Sequence, residues 1–309
     1  MWAESYYFRG YKLNSGYRLT EDDIKNYVKL LKDNGIGYIY VFSGPFGSDG
    51  HLPAYPFSKV AQQSVSLFKK YYPELMVLPW IGGIQGKTVF LNDSTWVYNA
   101  LSDAKKLISF LKVKGVHVDF EHIVPEYGYI DTGIIHFDTT AYSHYTRNVN
   151  KFHNRLRAMS PHAFISSVVV PDCRDSKPWK LKTTSKDLKE LLISIDQLSL
   201  LYYDTGISDS LIFDKNCNEL LRNMADLKLH HKKVNFQIGL GTFQNPNSLL
   251  QKFRHLDIEN LKNSIRAINA AEKNLKPLTN PISGIALFCD WQTSDDEWED
   301  FKQYWLMKN

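Results

Sequence analysis

Side chains capable of acid–base chemistry occupy every second position in one short stretch, KGVHVDFEHI, residues 114–123. They are His117, Asp119 and Glu121, and the residues between them are valine or phenylalanine. Successive side chains of a β-strand point to opposite faces, so this alternation predicts one apolar face and one face carrying an imidazole and two carboxyl groups. An unpaired buried charge is costly, so such a face calls for a chemical reason.

The two carboxyl groups suit proton transfer. Asp119 and Glu121 are two residues apart, which places them about 6.6 Å apart along a strand. At this distance each carboxylate shifts the pKa of the other, which can separate a proton donor from a proton acceptor. The stretch therefore indicates an acid–base site. The alternative is a structural role, as polar residues at a strand end that are held by salt bridges.

Strand-like segments alternate with segments of helical periodicity along all 309 residues. The eight predicted strands are SYYFRGY, IGYIYVFSG, ELMVLPWIGG, KGVHVDFEHI, FISSVVVPD, QLSLLYYDTG, VNFQIGLGTF and ISGIALFCDW. Strands alternating with helices form parallel sheets, and eight such units predict an α/β fold, the (β/α)8 TIM barrel. Since no linker-like stretch interrupts the pattern, we expect one domain over residues 1–309, with no insertion domain.

The barrel prediction gives the polar face of the fourth strand a position. Barrel strands point alternate residues inward, and the valines and phenylalanine suit the side that packs on the helices. His117, Asp119 and Glu121 should then point into the barrel. Active sites of such barrels lie at the carboxyl ends of the strands, which is where Glu121 falls.

Composition limits the classes of partner. The net charge is +4 and acidic residues are interspersed among the basic ones, so we expect no nucleic-acid binding. No segment approaches 18 continuous apolar residues, so no membrane span is expected.

Cys173, Cys217 and Cys289 lie far apart and form no metal-binding pair motif. The opening MWAESYYFRGY lacks a signal-peptide pattern, which leaves the compartment open; we favour secretion with the signal already removed. We expect a monomer without a cofactor.

The fourth-strand stretch resembles a motif of glycoside hydrolase family 18, the family of chitinases and endo-β-N-acetylglucosaminidases. That family carries D-G-x-D-x-D-x-E on its fourth strand. Here KGVHVDFE keeps the glycine, Asp119 and Glu121, and has Lys114 and His117 where the family has its first two aspartates.

Three further strand ends are similar to the same family. WIGG corresponds to S-x-G-G on the third strand and keeps Gly82, with Trp80 in place of serine. LYYD corresponds to M-x-Y-D on the sixth strand and keeps Tyr203 and Asp204. The family places a tryptophan at the floor of the sugar site on its eighth strand. In this chain GIALFCDW offers the aromatic residues Phe288 and Trp291.

The resemblance implies a glycosidase that cleaves β-linked N-acetylglucosamine-containing glycans, chitin-type oligosaccharides or the N-glycan core, with retention. The mechanism would be substrate-assisted, an exception to the usual two-carboxylate scheme. Glu121 would be the general acid and then the base, and Asp119 would orient the 2-acetamido group. Tyr203 would hydrogen-bond the acetamido carbonyl, and Asp204 would hold that group or the attacking water. The expected substrate-binding residues are His117, Trp80, Gly82, Phe288 and Trp291.

Two other functions stay open at this point. A non-catalytic, chitinase-like glycan-binding protein would share the barrel, although such proteins typically lose the glutamate that is present here as Glu121. A metal-dependent barrel hydrolase would use His117, Asp119 and Glu121, since imidazole and carboxylate are good zinc or manganese ligands. Further candidate ligands are His51, His122 and Asp172.

His117 itself has two interpretations within the resemblance. A neutral imidazole would donate a hydrogen bond to Asp119, whereas a protonated one would hold Asp119 as an anion.

Overall fold

Parallel strands form the centre of the protein, each paired with its neighbours in chain order. The computed structural model describes residues 1–121, 130–131, 134–135, 139–169, 185–242, 254–275 and 280–307. The eight strands are β1 (Trp2–Ala3), β2 (Tyr38–Phe42), β3 (Met76–Ile84), β4 (Gly115–Glu121), β5 (Phe164–Val169), β6 (Gln197–Leu201), β7 (Asn235–Gly241) and β8 (Gly284–Phe288). A two-residue antiparallel hairpin, Ile130–Asp131 with Ile134–Ile135, lies between β4 and the next helix.

Helices follow the strands, and several of them begin at residues whose side chains cap the helix. The helices are α1 (Tyr6–Arg9), α2 (Glu21–Asp33), α3 (Lys59–Tyr71), α4 (Ser94–Leu111), α5 (Thr139–Met159), α6 (Ser185–Leu192), α7 (Ser210–His230), α8 (Leu261–Leu275) and α9 (Asp295–Phe301). Thr20 and Asp23 form a reciprocal capping box at the start of α2, and aspartates Asp93 and Asp209 cap α4 and α7.

The sheet curves into a nearly closed barrel, which confirms the predicted (β/α)8 fold. At the seam, the backbone N–H of Asp290, just after β8, donates a hydrogen bond of 3.0 Å to the carbonyl oxygen of Trp2. Because β1 has only two residues, it offers only a short stretch of backbone for pairing at the seam.

The first strand prediction is wrong in its position. SYYFRGY was expected to form it, but Tyr6–Arg9 is a short helix that ends at Gly10 with φ 80°, and the strand is Trp2–Ala3. Tyr6, Tyr7 and Phe8 are all buried, and the backbone closes helical-turn hydrogen bonds of 2.8 Å from the N–H of Arg9 to Ser5 and from the N–H of Gly10 to Tyr6. In the helical turn Tyr7 instead stacks on Tyr27 of α2, with ring centroids 4.7 Å apart.

Apolar side chains pack against the strands both outside and inside the barrel. The valines and phenylalanine of β4 belong to the large layer between strands and helices. A smaller cluster fills the barrel interior, formed by Trp2, Tyr40, Leu78, Val168, Leu201 and Ala286. His117 contacts Trp2 and Tyr40 of this inner cluster, so the polar face of β4 points inward as its alternation predicts.

Two smaller findings concern membranes and cysteines. Within the described ranges no helix combines the length and apolarity needed to cross a bilayer. Cys217 and Cys289 are buried free thiols, and Cys173 lies outside the described residues.

Candidate active site

The carboxyl groups of β4 lie at the carboxyl end of the barrel. Asp119 is 4% exposed, and Glu121, the last residue of the strand, is partly exposed. Tyr203 and Asp204 follow the end of β6 and are also partly exposed. The charge of Asp204 acts on Glu121, and all three carboxyl groups act on Tyr203. The fold therefore brings together the four residues that the sequence assigned to catalysis.

Burial raises the pKa of both β4 carboxyl groups. For Asp119 burial is the largest cause, the charge of Glu121 adds to it, and a hydrogen bond with the Trp80 side chain opposes it. For Glu121 burial is again the largest cause and the charge of Asp204 adds to it. Both groups therefore hold their protons to a higher pH than an exposed carboxyl group does, as a general acid requires.

One oxygen of Asp119 is open to a ligand. Its Oδ1 is buried and has no hydrogen-bond partner among the residues that the structure describes. A buried carboxyl oxygen without a partner is unfavourable, and a donor on a bound molecule would satisfy it.

Tyr203 presents a protonated hydroxyl to this group of carboxyls. Its ring stacks on Phe288, with centroids 5.5 Å apart and planes at 12°. Burial raises the pKa of the Tyr203 hydroxyl well above its ordinary value, and the charges of Glu121, Asp119 and Asp204 add to the effect. The hydroxyl therefore stays a hydrogen-bond donor over the whole physiological pH range.

Aromatic rings continue from Tyr203 along one side of the site. Trp80 packs edge-on against Phe42 at 4.6 Å and against Phe288 at 6.2 Å, and Phe288 packs against Trp291 at 5.7 Å. Trp291 is 41% exposed. We call Trp80, Tyr203, Phe288 and Trp291 the aromatic wall. Aromatic rings present flat apolar faces, which suit the apolar faces of sugar rings, and Tyr and Trp add a polar group at the ring edge.

Gly82 allows β3 to approach Asp119. The two residues are register partners in the β3–β4 pair. A Cβ atom built on Gly82 would lie 1.9 Å from the carbonyl oxygen of Asp119, and the φ of Gly82 is 154°. The position of Gly82 is therefore a requirement of backbone packing beneath the site, and it offers no side chain to a substrate.

His117 lies below the site, in the barrel interior. It is fully buried and stacks on Tyr40, with centroids 3.9 Å apart and planes at 15°. The indole N–H of Trp2 donates to Nε2 at 3.1 Å, and Nδ1 lies 2.7 Å from the Ser166 hydroxyl. Since Nε2 accepts, Nδ1 carries the proton and donates it to Ser166.

This position changes the role expected for His117. Burial lowers the pKa of the imidazole well below its ordinary value, so the ring is neutral. One ring nitrogen bonds to Trp2 and the other to Ser166, so neither predicted interaction with Asp119 is formed. A fully buried ring also has no surface for the substrate contact that the sequence led us to expect.

The metal hypothesis gains no support from the described residues. Within them, no three or more His, Cys, Asp or Glu side chains are grouped so as to hold a metal ion. His51 pairs with Asp103, its Nδ1 lying 3.1 Å from the carboxylate. His122 and Asp172 lie outside the described residues.

Sequence reasoning missed two charged residues behind Asp204. Arg254 and Glu259, in the segment between β7 and α8, are 5% and 2% exposed. Glu259 accepts hydrogen bonds from the backbone N–H groups of Asp204 and Thr205. Their stretch, RHLDIEN, has the composition of an ordinary polar loop, so no local signal distinguishes them.

Comparisons with known proteins find relatives in structure alone. No family model matches the chain, and no curated protein sequence matches it. Solved structures do match. The chain is similar to the spore cortex-lytic enzyme SleL of Bacillus megaterium, with TM-score 0.56 and 14% identity over 98% of this chain and 72% of that one.

Chitinases also match in shape. A class V chitinase from Pseudomonas fluorescens has TM-score 0.56 and 14% identity over 92% of this chain and 97% of its own. The catalytic domain of a family GH18 chitinase from the fern Peteris ryukyuensis has TM-score 0.52 and 15% identity, over 88% and 90%. At these identities the likeness shows the fold alone: this chain has the (β/α)8 barrel found in chitinases and in a spore cortex-lytic enzyme.

Proposed function

We propose that this chain is a glycoside hydrolase of chitinase type, which cleaves β-linked N-acetylglucosamine-containing glycans with retention. The observation that carries the proposal is the convergence of Asp119, Glu121, Tyr203 and Asp204 at the carboxyl end of the barrel, beside the aromatic wall. The barrel shared with solved chitinases supports it. The substrates are chitin-type oligosaccharides or the core of N-glycans.

The proposed reaction has two displacements at the anomeric carbon. Glu121 gives its proton to the glycosidic oxygen as the bond to that oxygen breaks, and the acetamido oxygen of the substrate closes onto the anomeric carbon. Asp119 accepts a hydrogen bond from the acetamido N–H, and Tyr203 donates one to the acetamido oxygen. Water then attacks the anomeric carbon, opens the oxazolinium ring and loses a proton to Glu121. Two inversions give net retention.

The charges of the site suit both steps. The raised pKa of Glu121 favours the protonated form that the first step needs. The Oδ1 atom of Asp119, which lacks a partner in the described part of the chain, supplies the acceptor that the acetamido N–H needs. The hydroxyl of Tyr203 remains a donor throughout the cycle.

The test is the variant Glu121→Gln on a chromogenic chitobioside and on an N-glycan core. Glutamine keeps the size of the side chain but cannot donate or accept the proton, so we expect kcat to fall by about 10²–10⁴-fold. Glu299→Gln, the same change at an exposed residue of α9, should leave kcat unchanged. Equal activity of wild type and Glu121→Gln would contradict the assignment of Glu121.

The same screen separates the other functions. Inert wild type and Glu121→Gln that both bind N-acetylglucosamine oligomers would identify a glycan-binding protein without hydrolytic activity. Activity that is lost with a chelator and restored by zinc would identify a metal-dependent hydrolase.

A further inference from the structure

A buried arginine and a buried glutamate support Asp204 from behind. The Nη1 atom of Arg254 lies 3.8 Å from Oδ1 of Asp204, and the Arg254 side chain is 2% exposed. Its Nη2 atom donates a hydrogen bond of 2.8 Å to the carbonyl oxygen of Gly241, the last residue of β7. The guanidinium group therefore connects the end of a barrel strand to a carboxyl group of the candidate active site.

Glu259 holds the backbone that carries Asp204. Its carboxylate accepts hydrogen bonds from the N–H of Asp204, from the N–H of Thr205 at 2.9 Å and from the Thr205 hydroxyl at 2.6 Å. Asp204 has φ 55°, in the left-handed region that residues other than glycine adopt only when their surroundings impose it. The contacts of Glu259 supply that constraint.

We propose that Arg254 and Glu259 are positioning residues of the site: Glu259 fixes the backbone conformation of Asp204, and Arg254 keeps the Asp204 carboxyl group ionised beside Glu121. This inference rests on the proposed function for its catalytic consequence, but the electrostatic effect of Arg254 on Asp204 can be measured without it.

The surrounding groups determine the sign of the effect. Within the described part of the chain, the titratable groups that interact with Asp204 or Arg254 include Glu121, Tyr203, Glu259 and Glu297. Burial raises the pKa of Asp204 to about 6, and the positive charge of Arg254 opposes the rise. Without that charge Asp204 would hold its proton at a higher pH. Glu121 would then lose the negative neighbour that helps to keep its own pKa raised.

The direct test is a carboxyl ¹³C NMR titration of the whole protein labelled at aspartate, with Asp204 assigned by its absence in Asp204→Asn. In Arg254→Gln we expect the titration of Asp204 to move upward by about one pH unit, the lower end of the range for an opposite charge at this distance. Arg266→Gln, the same change at an exposed arginine of α8, should not move it. An unmoved Asp204 titration in Arg254→Gln would overturn the proposal.

Activity provides the second arm. The acidic limb of kcat/KM should move upward with Asp204 in Arg254→Gln. Glu259→Gln removes a negative charge near Asp204, so it should not move the limb upward, and it should lower kcat about tenfold to a hundredfold through misplacement of Asp204. A purely structural role would lower activity without moving the limb. If wild type hydrolyses no glycan, the proposed function fails and the NMR titration still decides the role of Arg254.

A milder variant covers the case in which Arg254→Gln does not fold. Arg254→Lys keeps a positive charge, but one ammonium group cannot both replace the bond to Gly241 and face Asp204 as the planar guanidinium does. We expect the Asp204 titration to stay near pH 6 while kcat falls about tenfold. Wild-type activity in Arg254→Lys would overturn the positioning role.

Discussion

Two adjacent tyrosines at the end of β6 illustrate how single residues divide between structure and chemistry. Tyr202 is fully buried, stacks on Phe213 and donates its hydroxyl to the Phe213 carbonyl oxygen at 2.8 Å. Tyr203 points the other way, stacks on Phe288 and interacts with the carboxyl groups of the site. Neighbouring side chains of an extended chain point in opposite directions. Tyr202 therefore packs in the large apolar layer between strands and helices, and Tyr203 faces the site.

Removal of each hydroxyl should therefore have a different effect. In Tyr203→Phe the stack on Phe288 is kept but the donor is lost, so we expect kcat/KM to fall by about 10²-fold with little change in unfolding free energy. In Tyr202→Phe the hydrogen bond to the Phe213 carbonyl oxygen is lost, so we expect a loss of about 1 kcal/mol in unfolding free energy and unchanged kcat/KM. Denaturant unfolding and steady-state kinetics on both variants measure this. A stability loss without a kinetic effect in Tyr203→Phe would contradict its assignment.

Between elements, the decisive contact is the one between β3 and β4. Gly82 lies opposite Asp119, and the chain of β3 passes so close that no side-chain atom fits between Gly82 and the Asp119 carbonyl oxygen. The Asp119 side chain also shares a hydrogen bond with the side chain of Trp80, two residues before Gly82 on the same strand. The glycine therefore allows the close approach of β3 to the backbone of Asp119.

Gly82→Ala should destabilise the protein and displace Asp119. A Cβ atom at 1.9 Å from a backbone oxygen forces the strands apart, and we expect a loss of about 3 kcal/mol, with reduced activity in the folded fraction. Gly284→Ala in β8 is the matched control, because a Cβ atom there meets nothing within 4 Å. Thermal unfolding of both variants provides the comparison, and equal stability of the two would rule out the packing argument.

Across the whole molecule, a hydrogen-bonded chain of polar side chains connects the barrel strands from within. Trp2 donates to His117, which donates to Ser166, and the Ser166 hydroxyl donates to Gln197 at 2.8 Å. The Tyr40 hydroxyl lies 2.8 Å from Oε1 of Gln197. The chain joins β1, β4, β5, β6 and β2, elements that are separated widely in sequence. It requires a neutral His117, since a charged ring would need a second acceptor in place of the Trp2 donor.

The neutral histidine should make stability depend on acid. Because burial lowers the pKa of His117 well below its ordinary 6.5, the unfolded chain binds one more proton than the folded protein below that pH. Stability therefore falls as pH falls from about 6.5, by about 1.4 kcal/mol per pH unit for this group. In His117→Gln, which keeps one donor and one acceptor but does not titrate, this dependence should be absent.

Denaturant unfolding of both proteins between pH 7 and pH 5 tests this. Wild type should be the more stable at pH 7, and its advantage should shrink as the pH is lowered. The exposed His162→Gln serves as control and should preserve the acid dependence of wild type. An advantage that is constant with pH would show that folding does not lower the pKa of His117 and would contradict the prediction.

Local patterns predicted most of the architecture. The alternation in β4 and the helical spacing of apolar residues are both set by residues a few positions apart, and the structure has both. The aromatic run at Tyr6 to Phe8 misled the strand prediction because Tyr7 packs on Tyr27 of α2 and Phe68 of α3, contacts that local spacing does not show. Element type follows from local spacing only where the neighbours do not override it.

The sequence by itself therefore determined the barrel, the inward direction of His117, Asp119 and Glu121, and the candidate acid. Only the tertiary structure decided what each inward group touches. The partners of His117 are 115 and 49 residues away, and the glutamate that holds Asp204 is 55 residues away. The environment of a buried polar group depends on which distant strands lie beside it, and local spacing carries no information about that.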